Sequence, residues 1–365
     1  MKRIAKTIAL SLAAVCMLAS CTNKAPEYAG GLVMDTVFNI TVYGEPDLAG
    51  ELLDAGTELD EKVLDRFERE SMISVYSSLG ANDDSPEGSS GAGAASMTAV
   101  ISGAEVDLEE ILAMSEELRA SSYGVFDVRL GVLSDLWDIK GRMNGDVSAV
   151  IPGPSEIQSA LGDRSVYDLG AVGKGVYLDM AHGILENSKA QAAVVSAGGS
   201  VLVYGLKPDG SDFKVAITDP LNPVSSGEPF ATIVIEGGYF ISTSGSYERF
   251  FEYGDERYCH ILDPLSGYPA WTSEDIANRV GIPAYAQSSP SEMPSSIPVS
   301  VTVISHSGFY SDALSTACFV LGPDMGTALA ERYDSEAVFI MSDGSVVVSD
   351  GIIYNAVDRT IMIRK

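Results

Sequence analysis

The stretch Ala193-Val194-Val195-Ser196-Ala197-Gly198-Gly199-Ser200-Val201-Leu202-Val203-Tyr204 decides the fold class. Ala193 to Ser196 and Val201 to Tyr204 are short apolar runs rich in valine, the composition of strands, and Ser196-Ala197-Gly198-Gly199-Ser200 between them is a tight turn. The signature recurs at Phe213 to Thr218, Thr232 to Glu236, Tyr239 to Ser242 and Ser300 to Ile304, so the second half is mainly strands. Upstream, Val37 to Tyr43 alternates as a half-buried strand. Leu48, Leu52, Leu59, Val63 and Phe67 recur at helical spacing, and Leu108, Ile111, Leu112 and Leu118 mark another helix ending near Gly124. Strands and helices mix without a regular βαβ repeat, which favours an α+β fold over a doubly wound sheet. A chain of 365 residues exceeds one typical domain and suits two lobes around a cleft.

Apolar residues make up 46% and charged residues 20%, enough to bury a sizeable core and far from a disordered composition. Lys and Arg number 23 against 51 Asp and Glu, a formal charge of −28 that repels phosphate backbones and disfavours nucleic acid as a partner. A phosphate-bearing ligand therefore needs a divalent cation or backbone N–H groups to meet it. Lys2, Arg3 and Lys6 precede an apolar run, Ile8 to Leu18, too short for a mature membrane span, so residues 1–20 read as a secretory signal. Leu18-Ala19-Ser20-Cys21 resembles the lipobox of bacterial lipoproteins, which implies lipidation of Cys21 and an extracytoplasmic chain anchored to a bacterial membrane. Residues 21–30 read as a tether that includes Ala29 and Gly30 and runs to Gly31, residues 31–355 as the folded body, and segments 85–97 and 287–298 as surface insertions. With Cys16 in the signal and Cys21 acylated, Cys259 and Cys318 remain, to form one bridge or to be buried as small hydrophobes.

The chain has three histidines. His260 begins His260-Ile261-Leu262-Asp263-Pro264-Leu265-Ser266-Gly267-Tyr268-Pro269, a strand running into a Pro/Gly turn. A histidine so held suits a general base near neutral pH, or it hydrogen-bonds the turn while Asp263 caps it. His182, on a helix face, and His306, near a strand end, read as structural or solvated. Asp312-Ala313-Leu314-Ser315-Thr316 puts a carboxylate and a hydroxyl one helical turn apart, two hard oxygens that suit Mg2+, with Asp312 as an N-cap the alternative. Asp168-Leu169-Gly170-Ala171-Val172-Gly173-Lys174-Gly175 opens a helix, and its glycines either let backbone N–H groups approach an anion or simply make a turn. It lacks the P-loop order. Ser242-Thr243-Ser244-Gly245-Ser246 is a further tight turn at a strand end.

Seven segments stand in the order and approximate spacing of the FAD:protein FMN transferases, the ApbE family. They are Tyr123-Gly124-Val125-Phe126-Asp127, Leu133-Ser134-Asp135-Leu136-Trp137, Asp168 to Gly175, Ala197-Gly198-Gly199, Thr243 to Arg249, His260 to Pro269 and Asp312 to Thr316. The resemblance implies a two-lobed, T-fold-like α+β architecture with mixed and antiparallel sheets and FAD in the inter-lobe cleft. It implies Mg2+-dependent transfer of FMN from FAD to a Thr or Ser hydroxyl of an acceptor flavoprotein through a phosphoester bond, releasing AMP. Water in place of the acceptor would make an FAD pyrophosphatase, and a flavin-binding lipoprotein without turnover is the third reading. Carried over motif by motif, the metal ligands are Asp312, Thr316 and the Ala171 carbonyl, and the catalytic pair is His260 with Asp263. FAD contacts fall on Met34, Phe67, Val125, Phe126, Asp127, Asp168, Lys174, Gly198, Thr243 and Ser244. Implied acceptors are subunits of sodium-pumping NADH:quinone reductase, Rnf-type complexes or extracytoplasmic reductases with an Asp-x-x-Ser/Thr-Gly-Ala-Ser/Thr pattern. The chain departs from the family at Met34-Asp35-Thr36, where Met-Gly-Thr is usual, at Phe67, where tyrosine is usual, and at Leu265-Ser266-Gly267, where a basic residue precedes Thr-Gly.

The lipobox reading predicts that the wild-type chain made in a bacterium loses residues 1–20, partitions into detergent and carries lipid on Cys21, whereas Cys21→Ser yields an unlipidated form. Intact-mass spectrometry that finds the signal retained, or cleavage elsewhere, overturns it.

Overall fold

The computed structural model describes residues 25–80, 97–223, 227–280, 282–285 and 294–364, so Cys21 and most of segments 85–97 and 287–298 lie outside the described residues. Eight strands form one antiparallel sheet whose spatial order is the chain order: Glu27–Val33, Thr36–Tyr43, Ala192–Ala197, Ser200–Gly205, Tyr239–Gly245, Pro298–Ser305, Glu336–Met341 and Val346–Val348. A second sheet of four strands is ordered Ile352–Asn355, Thr360–Ile363, Ala231–Ile235, Phe213–Ile217 and is mixed, because Thr360–Ile363 runs parallel to Ala231–Ile235. The inner strands of the large sheet are buried on both faces, as strands covered on both sides are. One face meets the small sheet, with Val203, Ile241, Ile304 and Val338 against Phe213, Ile233 and Ile235. The other meets helices, with Phe38, Leu202 and Val303 in one core with Leu178, Ala313 and Phe319. A smaller lobe gathers the short helices Gly131–Trp137, Ile139–Asn144 and Pro154–Gly162 around the fully buried Trp137 and closes on Tyr258, Leu262 and Tyr268. The α+β expectation holds. No helix among the described residues is long and apolar enough to cross a membrane.

Two local expectations need correction. Ala29 to Gly31 are not tether but lie within the first strand, fixed by pairing with Phe38, Asn39 and Ile40, and a Cβ on Gly31 would sit 3.3 Å from Leu53. Phe67 does not continue the first helix, because Leu48–Leu59 passes into a π turn, Asp60–Leu64, and stops at Asp65 in extended conformation. Ser71 Oγ then donates to the freed Asp65 carbonyl at 2.6 Å. At the other end of the first strand, Val33 pairs with Thr36 across Met34-Asp35, whose φ angles are 51° and 56°. Positive φ at both central residues is the mark of a type I′ turn, which glycine and aspartate tolerate and methionine does not favour.

Two helices fix the site. Gly173–Glu186 and Gly308–Leu321 pass each other in opposite directions, so close that a Cβ on Gly175 would lie 2.3 Å from the Gly308 carbonyl oxygen. At that distance each caps the other. Asp312 Oδ2 accepts from Gly175 N at 3.0 Å, and the two oxygens of Asp179 accept from Gly308 N and Phe309 N, both at 2.7 Å. These amides are among those that a helix start cannot satisfy internally. Burial pushes the Asp179 carboxyl above its ordinary range, and the two amides oppose that rise.

Asp179→Ala is expected to lower stability by about 2–3 kcal/mol, since it strands two N–H groups at a crowded crossing, and Asp179→Asn by less. Urea unfolding midpoints check this; a loss under about 0.5 kcal/mol would show that the cap does not hold the crossing.

Candidate active site

The Asp312 carboxylate, 2% exposed, is the hub. Besides Gly175 N, it accepts from Ser200 Oγ at 3.2 Å and pairs with Lys174 Nζ at 3.1 Å. Asp312 is therefore not the N-cap of its own helix, a place taken by Ser307, whose hydroxyl accepts from Tyr310 N. One turn on, Thr316 Oγ1 lies 3.2 Å from Ser244 Oγ, which also meets Ser315 Oγ at 2.7 Å, and Ser242 meets Ser311 at 2.8 Å. At these positions helix and sheet face each other through hydroxyls, within an otherwise apolar interface, which places oxygen donors beside the carboxylate. Gly198, at φ 58°, turns the sheet strands next to this cluster, and a Cβ there would strike Thr36 Oγ1 at 2.5 Å.

His260, half-buried, is held by two contacts to one carbonyl: its N–H donates to Arg249 O at 3.0 Å, and its Nδ1 lies 3.3 Å from the same oxygen. A carbonyl only accepts, so Nδ1 carries the proton and Nε2 is left with its lone pair. Desolvation first, then the charge of Arg249 and that of Lys174, lowers the imidazole from 6.5 to about 4, with the Arg249 carbonyl opposing. The ring is neutral at neutral pH. Arg249 also approaches the Asp35 carbonyl at 3.5 Å, which brings the Met34-Asp35 turn to the same region, and Lys140 pairs with Asp35 at 2.6 Å.

The structure separates the remaining expected residues. Asp263 is fully buried and accepts from Leu265 N at 2.9 Å and Tyr285 OH at 2.7 Å, with Arg279 Nε at 3.3 Å, so its carboxylate holds the turn that follows His260. Val125 and Phe126 are 1% and 2% exposed and lie in the main apolar core, so neither presents a side chain to a ligand. Asp127 is engaged by Arg129 at 3.0 Å and by Arg164 at 3.5 Å. Phe67 is 75% exposed under the Arg66 guanidinium, and Arg66 in turn bridges Asp135 at 2.7 Å and Asp168 at 3.4 Å. Asp168 Oδ1 accepts from Gly170 N, which shapes the turn that carries the half-buried Ala171 to the helix start. Thr243 meets Thr302 across the sheet at 2.9 Å. Ser200 and Arg249 are missed by sequence reasoning. Ser200 is one serine in a Gly-Gly turn, 112 positions from its partner, and Arg249, though it closes the Thr243 to Arg249 segment, acts on His260 through its carbonyl and charge. Cys259 and Cys318 are free and buried.

The sequence matches the ApbE family over residues 34–277 and 289–339. It is 29% identical to the FAD:protein FMN transferase of Treponema pallidum over 377 positions, covering 93% of this chain and 92% of that protein. It is 26% identical to the FAD:protein FMN transferase of Vibrio cholerae, covering 91% and 92%. The apo crystal structure of the flavinyl transferase ApbE of Pseudomonas stutzeri superposes with a TM-score of 0.64 at 26% identity, covering 91% of this chain and 97% of that one.

Because the folded His260 value lies below the ordinary 6.5, the stability it contributes is fully present above about pH 6.5 and is lost as pH falls toward about 4. An NMR titration is expected to find His260 neutral at pH 6, and Arg249→Met to raise its midpoint. A midpoint that falls or stays in the variant would remove Arg249 as a cause.

Proposed function

As a chain that belongs to the ApbE family, it is a flavin transferase, and we propose that it moves the FMN half of FAD to a Ser or Thr hydroxyl of an acceptor flavoprotein. The observation that carries this reading is the convergence of the Asp312 carboxylate, the Lys174 ammonium, a glycine-opened helix start and a neutral His260 that Arg249 links to the Met34-Asp35 turn. Phosphoryl transfer asks a protein mainly for positioning and for positive charge against the pyrophosphate.

In the proposed step the acceptor oxygen attacks the phosphorus of the FMN moiety, a P–O bond forms there, and the bond to the AMP phosphate breaks with its electron pair leaving on AMP. The hydroxyl proton goes to His260 Nε2, the nitrogen left free by the Nδ1 contact to Arg249 O. Lys174 and Arg249 are cations whose charge reaches His260, Lys174 while paired with Asp312, and the Gly175 amide is taken by the same carboxylate. Asp312, Thr316 and the Ala171 carbonyl are hard oxygen donors of the kind Mg2+ takes, and Lys174 Nζ pairs with Asp312 Oδ1 at 3.1 Å. Among the described residues there is no cluster of three or more His, Cys, Asp or Glu, so a bound ion would complete its shell with water and the pyrophosphate. Mg2+ held there would offset negative charge on the pyrophosphate. The signal and lipobox support an enzyme on a lipid anchor outside the cytoplasm, and the family resemblance implies acceptors that carry the Asp-x-x-Ser/Thr-Gly-Ala-Ser/Thr pattern.

Incubation with FAD, Mg2+ and a peptide of that pattern is expected to add the mass of the FMN phosphoester to the peptide and to release AMP. Free FMN with an unmodified peptide would mean a hydrolase, and intact FAD a binding protein. His260→Ala should lower transfer by about 10²–10⁴-fold and keep FAD binding. Asp312→Asn, which keeps an acceptor for Gly175 N where alanine would also strip a cap, should abolish transfer; wild-type turnover at limiting Mg2+ would sink the metal reading.

A further inference from the structure

We propose that Arg279, with the two carboxylates it bridges, is a positioning residue that sets His260 against the helix of Asp312 and Thr316; this deepens the transferase reading, on which the part of His260 as base rests. The turn from His260 to Trp271 is closed on itself by Ala270 N to Ile261 O at 2.9 Å, Asp263 N to Tyr268 O at 2.8 Å and Gly267 N to Asp263 O at 2.9 Å. Arg279, 2% exposed, grips both limbs of it. Its guanidinium meets Asp263 Oδ2 at 3.3 Å on the entry limb and Asp275 Oδ2 at 2.8 Å, and Asp275 accepts in turn from Trp271 N at 2.8 Å on the exit limb and from Ser266 Oγ at 2.6 Å at the tip. The rings of Trp271 and Tyr285 each lie 4.5 Å from the guanidinium.

The same cluster reaches the helix of the metal ligands. Trp271 Nε1 donates to the carbonyl of Phe319, three residues beyond Thr316, at 2.7 Å, and the Trp271 ring lies against Gly322, which ends that helix. From the opposite side, Trp137 Nε1 donates to Gly267 O at 2.8 Å. Both tryptophans of the chain therefore direct their N–H at holding this turn in place. Two carboxylates buried against one guanidinium cost more than apolar packing of the same volume, and Trp271 holds φ 68°, which is strained for so large a residue. Neither feature is explained by stability. Both are explained by the need to fix a base against the reacting phosphorus, where a shift of about 1 Å costs about 10²-fold.

The test uses the full chain with FAD, Mg2+ and the acceptor peptide. Trp271→Phe removes the N–H to Phe319 and keeps the ring; Arg279→Lys keeps the charge and loses the fork and the stacking. Turnover at saturating FAD is expected to fall about 10–100-fold, FAD affinity to stay within about twofold, and neither variant to lower turnover further when added to His260→Ala. Independently of turnover, the ring resonances of His260 should move in both variants while those of His182 and His306 stay. If Arg279→Lys fails to fold, Trp271→Phe decides. Unmoved His260 resonances, or losses that multiply with that of His260→Ala, overturn the positioning role. A wild-type chain without turnover sinks the transferase reading instead, and the resonances still decide the positioning.

Discussion

Asp179 and Asp312 each leave their own helix to cap the start of the other, and the remaining features of the site are arranged around that exchange. It requires backbones nearly in contact, which only glycine at 175 and 308 permits. It also commits one oxygen of Asp312 to a backbone amide, so the carboxylate has a fixed orientation and turns its second oxygen toward Lys174 and Ser200. A side chain that served only a ligand would be free to choose among rotamers. Here the helix start chooses for it, and preorganisation of this kind is what electrostatic catalysis draws on.

The charge of −28 gives the positive residues of this region unusual weight. Lys174 and Arg249 both act on the imidazole of His260, and Arg66 binds the turn-forming Asp168. Cations thus gather where acidic partners already hold them, and a pyrophosphate entering there would compete for ammonium and guanidinium groups rather than meet them free. The hydroxyls of Ser242, Ser244, Ser311, Ser315 and Thr316 contribute neutral donors that keep this polar seam satisfied without adding to the net charge.

What the sequence made legible is what local pattern determines. The strands from Ala192 onward announce themselves by valine-rich runs and glycine turns, and the Asp312 to Thr316 spacing puts two oxygens on one helix face. What stayed hidden depends on partners far along the chain. Asp263 looks like the companion of His260 because it is three residues away, but its carboxylate answers to Arg279 and Tyr285. Asp179 looks like any polar residue on a helix until Gly308 arrives beneath it. Ala29 to Gly31 have the composition of a linker and become a strand only because Phe38, Asn39 and Ile40 lie alongside. The helix that would have carried Phe67 ends where serine hydroxyls capture the Asp65 carbonyl, a contact that no periodicity encodes.

The order of strands in the large sheet has a consequence for how the molecule assembles. Neighbours in the sheet are successive strands, yet the chain departs after Tyr43 and returns only at Ala192. The first hairpin is therefore synthesised long before the strand that completes its pairing, and a lone hairpin is marginal in water. Until Ala192–Ala197 docks, Thr36–Tyr43 is paired along one edge only, and Phe38, Ile40 and Val42 lack part of the core that buries them. The later strands close over shorter loops, so the entropy of loop closure favours their pairing over that of residues 27–43 with Ala192–Ala197.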